Sequence, residues 1–305
     1  MNSVASKPAL IGVDWGTSSF RAYLIGSEGT VLDRVSSSEG IMHLGGQPFE
    51  GVLNRHISSW MSKDTMPIIA SGMITSRNGW VETSYACLPF GVDASSAALM
   101  PHDLGNGTYI YFVMGAVTEH SGGPDVMRGE ETQMIGALKF GLREGKFVLP
   151  GTHSKWVDVV GGEIVDFSTY MTGEIFASLK EHSILGSMMC ENGFDECSFN
   201  KGVEAGLNGA SNLLHNLFHV RTLPLMGKIS KNVVADYMSG LLIGTEIASA
   251  THKTSNENPI TIVGRGDLVN RYGIALHRAG LKSQRSPDDI VAAGHYLIAR
   301  KAGII

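Results

Sequence analysis

Asp14-Trp15-Gly16-Thr17-Ser18-Ser19 sets a carboxylate at the mouth of a turn rich in hydroxyls and backbone N–H groups. Glycine allows a ligand close to the main chain, and Thr17, Ser18 and Ser19 add donors, so this turn suits an anion such as phosphate. Asp14 would repel that anion unless a cation stood between them, which points to magnesium held through water. The alternative is an ordinary Ser/Thr-rich β-turn with Asp14 as its acceptor. A second turn, Pro150-Gly151-Thr152-His153-Ser154-Lys155, repeats the grammar. Gly151, Thr152 and Ser154 would form an opposed anion site, and two such turns can clamp one polyphosphate. Lys155 either adds positive charge there or is a solvated side chain; His153 either approaches the transferred group or is hydrogen-bonded within the turn. Gly264-Arg265-Gly266, between a strand and a helix, suits close approach of a purine or ribose to the backbone. It matches neither the GxGxxG fingerprint nor the GxxxxGK[ST] loop, which disfavours those two nucleotide folds.

The elements that hold these turns are legible as a repeat. Ala9–Val13, Phe20–Ile25 and Val31–Val35 read as three short antiparallel strands joined by turns. Lys146–Leu149, Trp156–Val160 and Ile164–Thr169 follow the same plan, with Gly16, Thr17 and Gly26 lying 135 positions before Gly151, Thr152 and Gly161. A duplicated strand, Gly-Thr turn, strand unit implies two similar lobes facing each other. Chance similarity of two β-meanders is the other reading. Helical spacing of apolar residues predicts helices over 49–61, 132–142, 173–181, 230–250 and 267–279, and Ser286-Pro287-Asp288-Asp289 reads as the cap and first turn of a last helix. Pro67–Gly72 and Tyr109–Met114 read as strands, with a Gly- and Ser-containing loop between them through Trp80 that can reach a cleft.

A chain of 305 residues, 43% of them hydrophobic, is long enough for two cores. The divisions expected are an N-terminal lobe over 1–118, a C-terminal lobe over 119–285, and a last helix over 286–305 that crosses back to the first lobe. A formal charge of -5 gives no basic footprint for nucleic acid. Cys87, Cys190 and Cys197 lack any CxxC pairing, which fits reduced thiols rather than a disulfide framework or zinc site. No apolar run approaches a membrane span, and Met1–Pro8 has no apolar core of a signal peptide, so the cytoplasm is the expected location.

The order of these elements, together with DVMRGEETQMIGA at 125–137, resembles the 2-dehydro-3-deoxygalactonokinase family. The resemblance also rests on VDWGTSSFRAYL at 13–24, the GM…GW segment at 72–80, LPGTHSKWV at 149–157 and DFSTYMTGE at 166–174, and extends over essentially the whole chain. It implies a two-lobed α/β, actin/hexokinase-like (ribonuclease H-like) fold with mixed sheets flanked by helices. It also implies transfer of phosphate from ATP, with Mg2+, to the terminal hydroxyl of 2-dehydro-3-deoxy-D-galactonate, a small sugar acid; a homodimer is compatible with it. By motif, Asp14 to Ser18 would be the first phosphate loop, Gly151 to Lys155 the second, and Gly264 and Gly266 the adenosine contact. Glu131, with Glu130 beside it, occupies the place where related sugar kinases carry the acid that takes the hydroxyl proton, and the helix N-terminus would keep it ionised; the alternative is that both merely cap the helix. Arg128 is the candidate for the substrate carboxylate through two parallel hydrogen bonds, or else pairs with Glu130 or Asp166. Ser76 and Trp80 are expected on the substrate loop. Two other readings stay open: a kinase for another sugar or sugar acid, and an actin-like ATPase module without a sugar acceptor.

Overall fold

A computed structural model describes residues 6–61, 65–105, 107–190, 193–252, 258–264 and 266–305. In chain order its strands and helices are β1 Pro8–Trp15, β2 Phe20–Gly26, β3 Val31–Ser37, α1 Phe49–Met61, β4 Ile68–Ser71, β5 Tyr85–Cys87, α2 Val92–Ala97, β6 Met100–Asp103, β7 Tyr109–Phe112, β8 Gly115–His120, β9 Gly123–Met127 and α3 Glu130–Ala137. There follow β10 Gly145–Leu149, β11 Ser154–Val160, β12 Glu163–Tyr170, α4 Thr172–His182, α5 Glu196–Asn208, α6 Leu213–Leu225, α7 Val234–Ala250, β13 Ile260–Ile262, α8 Gly266–Arg278, β14 Ser283–Arg285 and α9 Ile290–Lys301.

Two compact units result, one of residues 1–144, 158–167 and 287–305, the other of 145–157 and 168–286. In the first, a mixed sheet runs β3-β2-β1-β4-β7-β6, with β1 antiparallel to β2 and parallel to β4. β1 is buried along almost its whole length because both sheet faces are covered, which suits its run Leu10-Ile11-Gly12-Val13. Its core gathers Val13, Trp15, Phe20, Leu53, Ile57, Ile74 and Phe112. Residues 119–144, expected with the second lobe, group with this unit. The reason is local: β8 pairs with β5 and β9, and α3 packs on α9 so closely that a Cβ on Gly136 would collide with the Ile290 carbonyl, and one on Gly294 with the Thr132 carbonyl.

The second unit is built on the sheet β12-β11-β10-β13-β14, parallel across β10, β13 and β14; the tip of its β11/β12 hairpin, 158–167, is counted with the first unit. Its packing helix is α7, where Gly240 and Gly244 meet the α5 backbone at Phe199 and Val203 with no room for a side chain. The last helix starts later than its cap signal suggested. Asp289 stands before it in a left-handed conformation (φ 57°), makes no side-chain cap, and instead takes a two-pronged ion pair from Arg34 at 2.8 and 3.1 Å. No described helix is long and apolar enough to cross a membrane, and the three cysteines are unpaired.

Candidate functional site

In the first unit the β1–β2 turn is closed by the Gly16 N–H donating to the Ser19 carbonyl at 2.9 Å. Its back is held by residues 40–42: Ile41 and Met42 donate to the carbonyls of Gly16 and Thr17, and a Cβ on Gly40 would strike Thr17 and Ser18. With its back so filled, the turn presents Thr17 and Ser18 exposed and Gly16 half-buried. Asp14, only 6% exposed, lies opposite Arg21 in the strand register and accepts its guanidinium at 2.6 Å. That charge holds the Arg21 pKa above its ordinary value, against the cost of burial. One glycine borders this carboxylate, and a second packs on the first. Gly72 (φ 95°) sits where a Cβ would come 3.3 Å from Asp14 Oδ1 and 2.8 Å from the Trp15 carbonyl, and Gly129 (φ 110°) where one would come 3.0 Å from Gly72 Cα. The turn and the loop after β4 therefore meet at Asp14 through bare backbone, with the start of α3 packed on that loop.

The two glutamates at the start of α3 reach back to the chain before them. Glu130 accepts the Arg128 N–H at 3.0 Å; Glu131 accepts the Gly129 N–H at 2.6 Å and the Thr132 hydroxyl at 3.0 Å. Glu131 has no exposed surface, and burial, with the neighbouring Glu130 charge, pushes its pKa up to about 7. The ionised form expected at the helix N-terminus is thus opposed by desolvation, which outweighs those hydrogen bonds.

Arg128 is also different from expectation. Its guanidinium donates to the Thr75 carbonyl (2.6 Å) and hydroxyl (2.8 Å), the Thr83 hydroxyl (2.7 Å) and the Thr83 carbonyl (2.9 Å), and stacks over Tyr85. These bonds lock the 75–83 loop rather than leave a free fork for a ligand. Trp80 is half-buried and packs against the core, stacked on Phe49 and edge-on to Phe112, so it supports that loop from behind. Ser76, on the same loop, is 9% exposed, and its hydroxyl has no partner among the described residues.

In the second unit the β10–β11 turn displays Thr152 and His153, with Gly151 half-buried. It is seated on the start of α4. A Cβ on Gly173 would collide with the Gly151 carbonyl and come 2.8 Å from Thr152 Cα, Glu174 donates its N–H to the Thr152 carbonyl at 3.0 Å, and its carboxylate binds His153. Ser154 and Lys155 are not displayed by the turn; they are buried in β11, Lys155 at 5% exposure.

Gly151 also lines a cavity of about 500 Å³ wholly within this unit. Phe176, Met189 and Leu242 supply apolar wall, while Asn232, Ser239 and the Asp236–Arg271 ion pair (2.9 Å) supply polar groups. Volume and lining fall in the range of small-ligand sites. The α8 start contributes through Asp267 and Leu268, the residues following Gly266, whereas Gly264 and Gly266 themselves do not line it. Arg265 lies outside the described residues. Sequence reasoning missed Asp236, Arg271 and Gly173 as site residues; only Gly173 had a signal, its place in the DFSTYMTGE segment.

Residues 14–298 match the family model for 2-keto-3-deoxy-galactonokinase. The 2-dehydro-3-deoxygalactonokinase of Escherichia coli K12 is 33% identical over 270 residues, 88% of this chain and 90% of that one. A crystal structure from Sinorhizobium meliloti, of a protein assigned to the same kinases, superposes with a TM-score of 0.87 at 32% identity, covering 95% of this chain and 98% of the other. At 10% identity, and so for the fold alone, the activator of 2-hydroxyisocaproyl-CoA dehydratase from Clostridium difficile, solved with ADPNP, gives a TM-score of 0.51 over 96% of this chain and 95% of its own. The α/β fold with sheets flanked by helices is that of the actin-like ATPases and sugar kinases.

Proposed function

Because the chain belongs to the 2-keto-3-deoxy-galactonokinase family, we propose that it transfers the γ-phosphoryl group of ATP to the terminal 6-hydroxyl of 2-dehydro-3-deoxy-D-galactonate, releasing ADP and the 6-phosphate. The observation that carries the nucleotide half of this reading is the cavity of about 500 Å³ that opens on Gly151. A base lying against Phe176 and Leu242 would direct its phosphates to the backbone and hydroxyl donors of Gly151 and Thr152. Gly266 would act from one residue away, by aiming Asp267 and Leu268 at the nucleoside, and Gly264 would end the strand that leads to it. Lys155, buried in β11, would contribute field rather than contact.

In the first unit, Gly16, Thr17 and Ser18 are the proposed first phosphate loop. Asp14 is the proposed carboxylate for magnesium held through water: it is a single carboxylate at the base of the Gly16–Ser18 turn, its charge already balanced by Arg21. Bound magnesium would neutralise charge on the transferring phosphates. Glu131 is the proposed proton acceptor, since a carboxyl with a pKa of about 7 is matched to proton transfer near neutrality. It is fully buried, so the acceptor reaches it only if the Gly129 segment moves; half-buried Glu130 is the surface member of the pair. Ser76, buried and with no hydroxyl partner among the described residues, is the proposed donor to the sugar acid, and Arg128 serves substrate binding by fixing the loop that carries Ser76.

The test is turnover with ATP and magnesium across a panel of 2-keto-3-deoxy acids and neutral sugars, with the phosphorylated position read by NMR. Fastest phosphorylation of the galactonate derivative at its terminal hydroxyl is expected. A different acid preferred by a wide margin would overturn the substrate, and ATP hydrolysis indifferent to any acceptor would favour an ATPase module.

A further inference from the structure

We propose that Glu246 is a positioning residue that holds the Gly151–His153 turn in place and thereby sets affinity for the nucleotide phosphates. The proposal rests on the reading of that turn as a phosphate site. Glu246 sits near the end of α7 and is 3% exposed. Its two oxygens collect four donors from three other elements. Oε1 accepts the Ser154 hydroxyl and the Trp156 indole N–H, each at 2.7 Å, from the strand that leaves the turn. Oε2 accepts the Tyr272 hydroxyl at 2.8 Å from α8, and the Thr172 hydroxyl from the start of α4.

These are the elements that shape the proposed nucleotide site. Thr172 and Tyr272 line the cavity themselves, and Gly173, next to Thr172, is packed against Gly151. One carboxylate therefore fixes the strand end, the α4 shelf and the α8 wall relative to one another. Burial pushes the pKa of Glu246 up and the four hydrogen bonds oppose it; the Tyr272 hydroxyl beside it is pushed well above its ordinary value. Nothing in the proposed transfer chemistry needs this group. A buried carboxylate that costs desolvation and carries no proton in the reaction is explained by the geometry it imposes.

The indole can only donate, whereas the three hydroxyls can donate or accept. A Gln at 246 can thus keep the network, with its carbonyl toward Trp156 and Ser154 and its amide toward Thr172 and Tyr272. An Ala leaves buried donors unmatched. The experiment compares wild type with Glu246→Gln, Glu246→Ala and, as milder cuts, Thr172→Val and Tyr272→Phe. It measures ATP affinity by calorimetry without acceptor, sugar-acid affinity without nucleotide, and amide exchange over 150–156.

Glu246→Ala should weaken ATP binding by roughly 10- to 100-fold, leave sugar-acid binding within about twofold, and speed exchange in the turn; Gln should restore binding to within about threefold. Should Ala fail to fold, the same split at smaller size is expected of Thr172→Val and Tyr272→Phe. Unchanged ATP affinity and unchanged turn exchange in folded variants would overturn the proposal, as would equal losses for both ligands. If wild type itself binds no ATP, the phosphate-site reading fails, while exchange over 150–156 still decides whether Glu246 anchors the turn.

Discussion

Replacing Glu131 with Gln should stabilise the protein at about pH 8 and change little at about pH 4. A carboxyl whose folded pKa lies above its unfolded value binds its proton more tightly when folded. Its contribution is therefore intact below the ordinary 4.5 and is lost as pH rises through the window from 4.5 to about 7, after which it is a constant penalty. At about 1.4 kcal/mol for each pH unit, that window corresponds to roughly 3 kcal/mol. Gln carries no charge to desolvate and still offers a carbonyl to the Gly129 N–H, while the Thr132 hydroxyl can turn to accept from the amide.

Most of that 3 kcal/mol should therefore appear as a gain in the variant, equivalent to a rise in Tm of roughly 5–10 °C for a unit of this size. Urea unfolding of both proteins, followed by circular dichroism at several pH values, gives the difference directly. Turnover should fall at the same time by about 10²–10⁴-fold if Glu131 takes the proton. A variant that is no more stable than wild type on the alkaline side would refute the argument from burial, whatever happened to activity.

His295 should impose the opposite slope. It is fully buried, bonded through Nε2 to the Ser71 hydroxyl at 2.9 Å, and its pKa is pushed down to about 3 by burial. With the folded value depressed, stability is complete above the ordinary 6.5 and is lost as pH falls toward 3, by roughly 4–5 kcal/mol at the acid end; acid titrations of wild type and His295→Gln should differ in this slope. Gly173→Ala pushes a methyl into the Gly151 carbonyl and should raise KM for ATP about tenfold or more, with sugar-acid KM little changed, in steady-state assays. Asp14→Asn should lower kcat with every acceptor and raise the magnesium concentration needed for half-maximal rate; an unchanged magnesium titration would remove Asp14 from the metal site. Arg128→Lys cannot reproduce the fork between Thr75 and Thr83, so proteolysis within 75–83 should accelerate.

What was legible in the sequence is what local rules determine. Alternation and turn chemistry placed β1 to β3 and both Gly-Thr turns, and helical spacing placed α1 and α7 to within a few residues. What was not legible depends on partners far along the chain. Asp289 looks like a cap until Arg34, 255 residues away, claims its carboxylate. Arg128 looks like a free fork until Thr75 and Thr83 occupy it, and Trp80 looks like a substrate-loop residue until Phe49 and Phe112 take up its ring faces and edge. Glu246 carries no motif at all, because its meaning lies in four donors scattered from 154 to 272.

The repeat becomes more informative where its copies disagree. Each unit pairs a strand meander bearing a Gly-Thr turn with helices crossed at glycine, α3 on α9 in one and α5 on α7 in the other. At the offset of 135 that aligns Gly16 with Gly151, Asp14 corresponds to Leu149 and Arg21 to Trp156. The cross-strand ion pair of the first turn is thus an apolar residue and an indole in the second, and that indole donates to Glu246. A carboxylate next to phosphate is tolerable only with a cation between them, so the first turn alone is suited to metal-bridged contact. The second has no such carboxylate in its strand, its neighbour Glu174 is engaged by His153, and, braced from below, it is suited to grip phosphate oxygens directly. Exchanging the pairs, Leu149→Asp with Trp156→Arg, should then weaken ATP binding strongly without creating a second magnesium site, since the brace at Glu246 would lose its indole donor; tighter magnesium-dependent binding would contradict this division of labour.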